Sequence, residues 1–201
     1  MQGFYLFLTA KLWVKHFDPE HSLPAETRKK ILDAVFLAPS AFNLQNYRLV
    51  EVDDPELRRK IRAAAWDQAQ VTDASILFVV CADLHAWQKN PARYWSHAPK
   101  PVQEFMVPAI TQYYQDKPAV QRDEAMRSAG LLAMSLMLTV KSLGYDSCPM
   151  DGFDFDAVGK LINLPADHVV CLMVAVGKKL KDAWPRGPRL DQKETVIRNH
   201  F

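Results

Sequence analysis

Ala129-Gly130-Leu131-Leu132-Ala133-Met134-Ser135-Leu136-Met137-Leu138-Thr139-Val140 is apolar almost all round, broken only by Ser135 and Thr139. It is the middle of a helix predicted from about Arg122 to Leu143, stopped by Gly144. A helix without a polar face is expected to be buried on all sides. The stretch is too short to cross a bilayer, which needs about 20 residues. Ala129, Gly130 and Ala133 are small, so a second helix can approach closely. Such a helix is more than one chain of 201 residues easily buries, which favours a dimer.

Outward from this helix, elements of both kinds intermix. Tyr47–Val52 alternates and reads as a strand, whereas Ile76–Cys81 and Val169–Val176 are continuous apolar runs, hence strands buried on both faces. Helices are expected over residues 4–14, from near Pro24 with Ser22 as N-cap, from Asp54 to about Trp66, over 102–117, and from the cap Asp154 to Leu164. Pro39-Ser40 ends the second of these, and Asp83–Pro101 reads as irregular. Strands and helices do not alternate as regular βαβ units, so the expected class is α+β, a sheet covered by helices. One domain spans 1–201, with 178–201 as an extended tail that has little core pattern of its own.

The net charge of +2 leaves no concentrated basic surface, which argues against a nucleic-acid partner. Lys178, Lys179, Lys181, Arg186 and Arg189 are the nearest approach, either a phosphate site or a solvated tail. Cys81, Cys148 and Cys171 are odd in number and contain no C-x-x-C pair, so neither a disulfide framework nor a zinc site is expected. That pattern suits the cytoplasm. Met1–Leu8 is apolar but lacks a basic n-region and is too short for a membrane span.

No glycine-rich phosphate loop, G-x-S-x-G or H-E-x-x-H is present, so metal catalysis and triad hydrolysis lose ground. Three polar loops remain. Pro39–Tyr47 reads as a capped turn or a site. Pro149-Met150-Asp151-Gly152-Phe153 reads either as a strand-to-helix turn with glycine at a special backbone angle, or as backbone N–H groups offered to an electron-rich ligand atom. Arg186-Gly187-Pro188-Arg189 is the third.

Ala38-Pro39-Ser40-Ala41-Phe42-Asn43-Leu44-Gln45-Asn46-Tyr47-Arg48 resembles the A-P-S-x-x-N-x-Q-P-W-x motif of the nitroreductase family. Asp73-Ala74-Ser75 is similar to that family's approach to its next strand. Gly144-Tyr145 through Phe153, then Asp156-Ala157-Val158 and Leu164-Pro165, resembles its L-G-L-x-x-x-x-x-G-F block. Order and spacing agree from about Lys11 to Arg189. The resemblance implies a mixed, mostly antiparallel sheet flanked by helices, in a homodimer that exchanges C-terminal tails. It implies FMN as cofactor, NADH or NADPH as electron donor, and hydride transfer to nitroaromatics, quinones or activated alkenes in a ping-pong cycle.

Residue by residue, the resemblance places Lys11, Leu12, Trp13 and Lys15 where the family's R-R-S-x-R/K stretch holds the FMN phosphate and ribityl chain; Leu12 and Trp13 depart from that pattern. Pro39, Ser40, Ala41 and Asn43 match the loop that the partner subunit brings to the flavin. Asp67, where the family often has Asn, and Gln70 match positions near the pyrimidine edge. Pro149, Met150, Asp151 and Gly152 match the segment whose backbone N–H reaches flavin N5, and Arg186 and Arg189 match the tail's phosphate cation. No catalytic side chain and no metal ligand is implied. Tyr113, Tyr114, Phe105 and the Trp87–Trp95 stretch are candidates for the acceptor wall. A small aldehyde or enone reductase, and a flavin-binding protein without turnover, stay open as alternatives.

Overall fold

A computed structural model describes residues 13–201. Its frame is a four-stranded antiparallel sheet of order β1-β2-β4-β3, with β1 at Tyr47–Val52, β2 at Ile76–Asp83, β3 at Asp146–Met150 and β4 at His168–Gly177. The described helices are α1 (Ala25–Val35), α2 (Pro55–Ala64), α3 (Gln70–Asp73), α4 (Lys100–Tyr114), α5 (Pro118–Ser142), α6 (Phe155–Leu161) and α7 (Gln192–Thr195).

Side chains alternate across a strand, so the apolar runs of β2 and β4 feed two cores at once. Leu77, Val79, Cys81, Met173 and Ala175 pack with Ile61, Val71, Phe153 and Val158 under α2, α3 and α6. Ile76, Phe78, Val80, Val174 and Val176 pack with Ile31, Val35, Leu132, Leu136 and Val140 under α1 and α5. A third cluster, Leu44, Trp87, Tyr94, Ile110 and Tyr114, joins α4 to the short 3₁₀ turns of the 84–95 segment.

Several boundaries differ from expectation. Pro24 is the N-cap of α1, without a side-chain cap bond, so Ser22 does not cap it. The helix ends at Val35, before Pro39. Asp54 caps α2 by accepting from Glu56 and Leu57 N–H, as expected. Asp154 caps α6 through Ala157 N–H, but that helix stops at Leu161, where Asn163 turns the chain at φ 52°. The helix expected over 4–14 lies mostly outside the described residues; Trp13 and Val14, within them, are not helical. α5 begins earlier than expected, at Pro118, and is not buried on all sides: Gly130, Leu131 and Met134 form an open face. The tail beyond Lys178 is exposed along nearly its whole length. No described helix is long and apolar enough to cross a membrane.

Candidate functional site

The site grows from the outer edge of β3. Val14 N–H donates to Ser147 O at 2.9 Å, and Ser147 faces Val176 in the β3–β4 register. Hydrogen bonding alternates along an antiparallel strand, so the odd-numbered residues of β3 turn their backbone groups away from β4. Pro149, which has no N–H, therefore falls where β4 loses no ladder bond. The alternation carried one step further directs the Asp151 N–H to the same open edge. Neither Asp151 nor Gly152 N–H has a hydrogen-bond partner among the described residues.

These amides lie at a cleft of about 250 Å³ lined by Trp13, Lys15, Trp66, Gln68, Gln70 and Cys148, with Pro149–Gly152 as its floor. Gln70 is buried; its amide donates to Gln68 Oε1 at 2.9 Å, and Gln68 Nε2 donates to Gly152 O at 2.8 Å. This chain of amides fixes the floor from behind. The Cys148 thiol is pushed up to about 11 by burial, against the opposite pull of the Lys15 ammonium and the Gln70 amide. It stays protonated at neutral pH and is a poor nucleophile.

Gly152 has an ordinary backbone; among the described glycines only Gly144 has positive φ. A Cβ at Gly152 would instead meet the Trp66 ring at 2.7 Å. Trp66 itself is 75% exposed and, with Asp67, holds a left-handed backbone at φ 52° and 55°. That conformation costs a bulky residue roughly 1 kcal/mol or more. Glycine at 152 is thus a seat for an indole rather than a turn residue.

The structure gathers Trp13, Lys15, Gln70, Pro149, Met150, Asp151 and Gly152 around one cleft. Asp67 turns into a neighbouring cleft, its carboxylate 2.7 Å from Arg62 Nε. Pro39, Ser40, Ala41 and Asn43 lie elsewhere, in a loop where Ser40 Oγ accepts from Gln45 N–H at 2.8 Å and Asn43 Oδ1 from Gln45 Nε2 at 3.2 Å. Phe42 anchors that loop on Tyr113 and Tyr114, ring centroids 5.3 and 6.0 Å away. Arg186 and Arg189 are on the exposed tail, and Lys11 and Leu12 lie outside the described residues. Trp66, Gln68 and Cys148 line the cleft although the sequence did not single them out. A large aromatic beside the polar pair Asp67-Gln68 was the available signal.

Comparison with known proteins identifies the family. The family model described as nitroreductase family matches residues 14–178. Protein DrgA of Synechocystis sp. is 51% identical over 170 residues, covering 85% of this chain and 81% of that protein. A Bacillus subtilis protein with the provisional name NAD(P)H nitroreductase MhqN is 35% identical over 188 residues, 90% of this chain and 91% of its own. A structure from Exiguobacterium sibiricum, solved in complex with FMN, superposes with a TM-score of 0.88 at 25% identity, covering 96% of each chain. The chain belongs to the nitroreductase family.

Proposed function

We propose that the protein is an FMN-dependent oxidoreductase that passes hydride from NADH or NADPH to nitroaromatics, quinones or similar acceptors in a ping-pong cycle. The observation that carries this reading is the pair of N–H groups at Asp151 and Gly152, which have no hydrogen-bond partner among the described residues and lie at the cleft that Lys15 and Gln70 also line. That donor set suits FMN: N–H groups for an electron-rich ring atom, an amide for the pyrimidine edge and cations for a phosphate. FMN, when bound, supplies the two-electron hydride chemistry. The residues of this chain bind and orient. Asp151 and Gly152 donate from the backbone, Met150 and Pro149 shape the floor, and Gln70 meets the pyrimidine edge. Lys11, Leu12, Trp13 and Lys15, with Arg186 and Arg189, hold the ribityl chain and phosphate. No side chain acts as nucleophile, and solvent supplies the product's proton.

The cleft of one chain, about 250 Å³, is smaller than ordinary cofactor sites of roughly 300–1,000 Å³. A second copy supplies the remainder in this reading. Pro39, Ser40, Ala41 and Asn43 then serve the partner's cleft. Two exposed surfaces support the homodimer: the Leu131–Met134 face of α5, and the tail with Leu180, Trp184, Leu190, Ile197 and Phe201 uncovered. The tails 178–201 are exchanged between subunits. The three free cysteines are consistent with a cytoplasmic location.

The visible spectrum of the purified protein tests the reading. It is expected to be yellow, to bleach anaerobically with NADH or NADPH, and to recover its colour with a quinone. A colourless protein that cannot be loaded with FMN overturns it.

A further inference from the structure

Among the described residues ahead of the tail, no Trp, Tyr or Phe is as exposed as Trp66, at 75%. An indole left in water forgoes the burial that usually makes it stabilising. Its backbone is unfavourable as well: Trp66 and the following Asp67 are both left-handed, a region that bulky residues avoid. The turn is nevertheless firmly built. Asp67 and Gln68 N–H donate to the Arg62 and Ala65 carbonyls at 3.0 and 3.1 Å, and the Asp67 carboxylate lies 2.7 Å from Arg62 Nε. The chain thus enforces a costly conformation whose result is an indole held out in solvent. Backbone outliers of this kind gather at ligand sites.

The ring has a defined seat. Its benzo atoms Cζ3, Cε3 and Cη2 lie over Gly152, and a Cβ there would come within 2.7 Å of Cζ3. The rest of the indole is open: among the described residues it makes no hydrogen bond and meets no other aromatic ring. It lines the same cleft as the Asp151 and Gly152 N–H groups that the proposed function assigns to flavin N5. An open aromatic surface therefore borders the place where hydride leaves. Quinones and nitroaromatics are planar and electron-poor, whereas indole is electron-rich, so offset stacking adds to the apolar area such a pair buries. A compact acceptor without an aromatic ring gains neither.

We infer that Trp66 is a specificity-determining residue, the stacking face that selects planar aromatic acceptors over compact non-aromatic ones. The inference rests on the proposed function, which supplies the flavin and the electron donor. It narrows the acceptor class of that reading to quinones and nitroaromatics, ahead of small enones and aldehydes.

The test uses full-length, FMN-loaded protein with NADPH, anaerobically. It compares kcat/KM for menadione, a planar naphthoquinone, with that for ferricyanide, which has no ring to stack. Trp66→Leu is expected to lower the menadione-to-ferricyanide ratio about tenfold, chiefly through the menadione KM. Trp66→Phe keeps a stacking face and should hold the ratio within about threefold of the parent. The ratio does not depend on how much flavin each variant retains. Trp66→Asn suits the left-handed backbone, so its melting temperature should equal or exceed the parent's while its ratio falls as in the leucine variant. A ratio untouched in both Trp66→Leu and Trp66→Asn overturns the inference. So does an untouched ratio joined to dissociation of Trp66→Leu in sedimentation, which would make the indole a contact for the second copy. The two readings fail separately. A protein that takes no FMN, or whose flavin NADPH does not bleach, defeats the proposed function and this inference with it; a yellow, NADPH-reducible protein with an unaltered ratio defeats only the inference.

Discussion

The β3 edge at 149–153 and the loop at 39–46 both carry family motifs, yet they solve opposite problems. The edge has an ordinary backbone, is held by the β4 ladder, and leaves two N–H groups without partners among the described residues. The loop has three non-glycine residues with positive φ, Phe42, Asn43 and Gln45, and closes its polar groups on itself through Ser40 and Asn43. Strained backbone persists only where its surroundings enforce it, and here the aromatic packing of Phe42 on Tyr113 and Tyr114 does so. Under the proposed function the edge offers donors to a ligand in its own chain, whereas the loop serves the second copy.

The strongest way to break this comparison is to separate the two chains of the proposed homodimer. Leu131→Asp with Met134→Asp places two carboxylates on the open face of α5 and alters no residue of the 250 Å³ cleft. Burying them would cost several kcal/mol. Sedimentation is expected to show a monomer, and the same preparation should retain FMN at least tenfold less tightly. A monomer with full FMN affinity would mean that the loop at 39–46 serves nothing beyond its own chain.

Next in size is Gly152→Val. The backbone tolerates a side chain, so the melting temperature should move by only a few degrees. The new Cβ meets the Trp66 ring at 2.7 Å, however, and must displace it. FMN affinity is expected to drop about tenfold, and the drop should shrink when Gly152→Val is combined with Trp66→Ala, as for any contacting pair. Equal losses with and without the indole would show that Gly152 is needed for another reason.

Much of this frame was legible in sequence. The alternation of Tyr47–Val52, the apolar runs of β2 and β4, and the caps Asp54 and Asp154 are local signals with local causes. What was hidden depends on distant residues. Gly152 read as a turn glycine because nothing nearby in sequence reveals Trp66 lying on it. α5 read as buried all round because its composition does not reveal that Gly130, Leu131 and Met134 stay open on the surface of their own chain. Cys148 and Gln68 reach the cleft only through strand register and the chain of amides behind Gly152.

A smaller effect distinguishes how the two regions are anchored. The segment carrying the aromatic support of the 39–46 loop leaves β2 at Asp83, where Lys89 Nζ bridges Asp83 and Asp167 at 2.8 and 2.6 Å. Hydrogen bonds from Lys89 and His168 hold the Asp167 carboxyl down at about 2, below its ordinary 3.8. A depressed carboxylate stabilises the fold above about pH 4, and the contribution fades as pH falls from 4 towards 2. Both side chains are partly solvated, so the effect should stay below about 1 kcal/mol. Asp167→Asn should therefore lower the melting temperature slightly at pH 7 and converge with the parent near pH 2. A constant difference across that range would deny the linkage.

The smallest expected change is at the centre of the site. The Asp151 carboxylate is exposed and makes no hydrogen bond among the described residues. Its backbone N–H, by contrast, is set at the sheet edge by the register that Val14 and Ser147 establish. Asp151→Ala keeps that N–H and removes only the carboxylate, so stability should move by less than about 0.5 kcal/mol and FMN affinity by less than twofold. If the alanine variant instead loses flavin as severely as Gly152→Val, the side chain makes the contact. The edge would then resemble the loop, where side chains such as Ser40 and Asn43 carry the polar bonds.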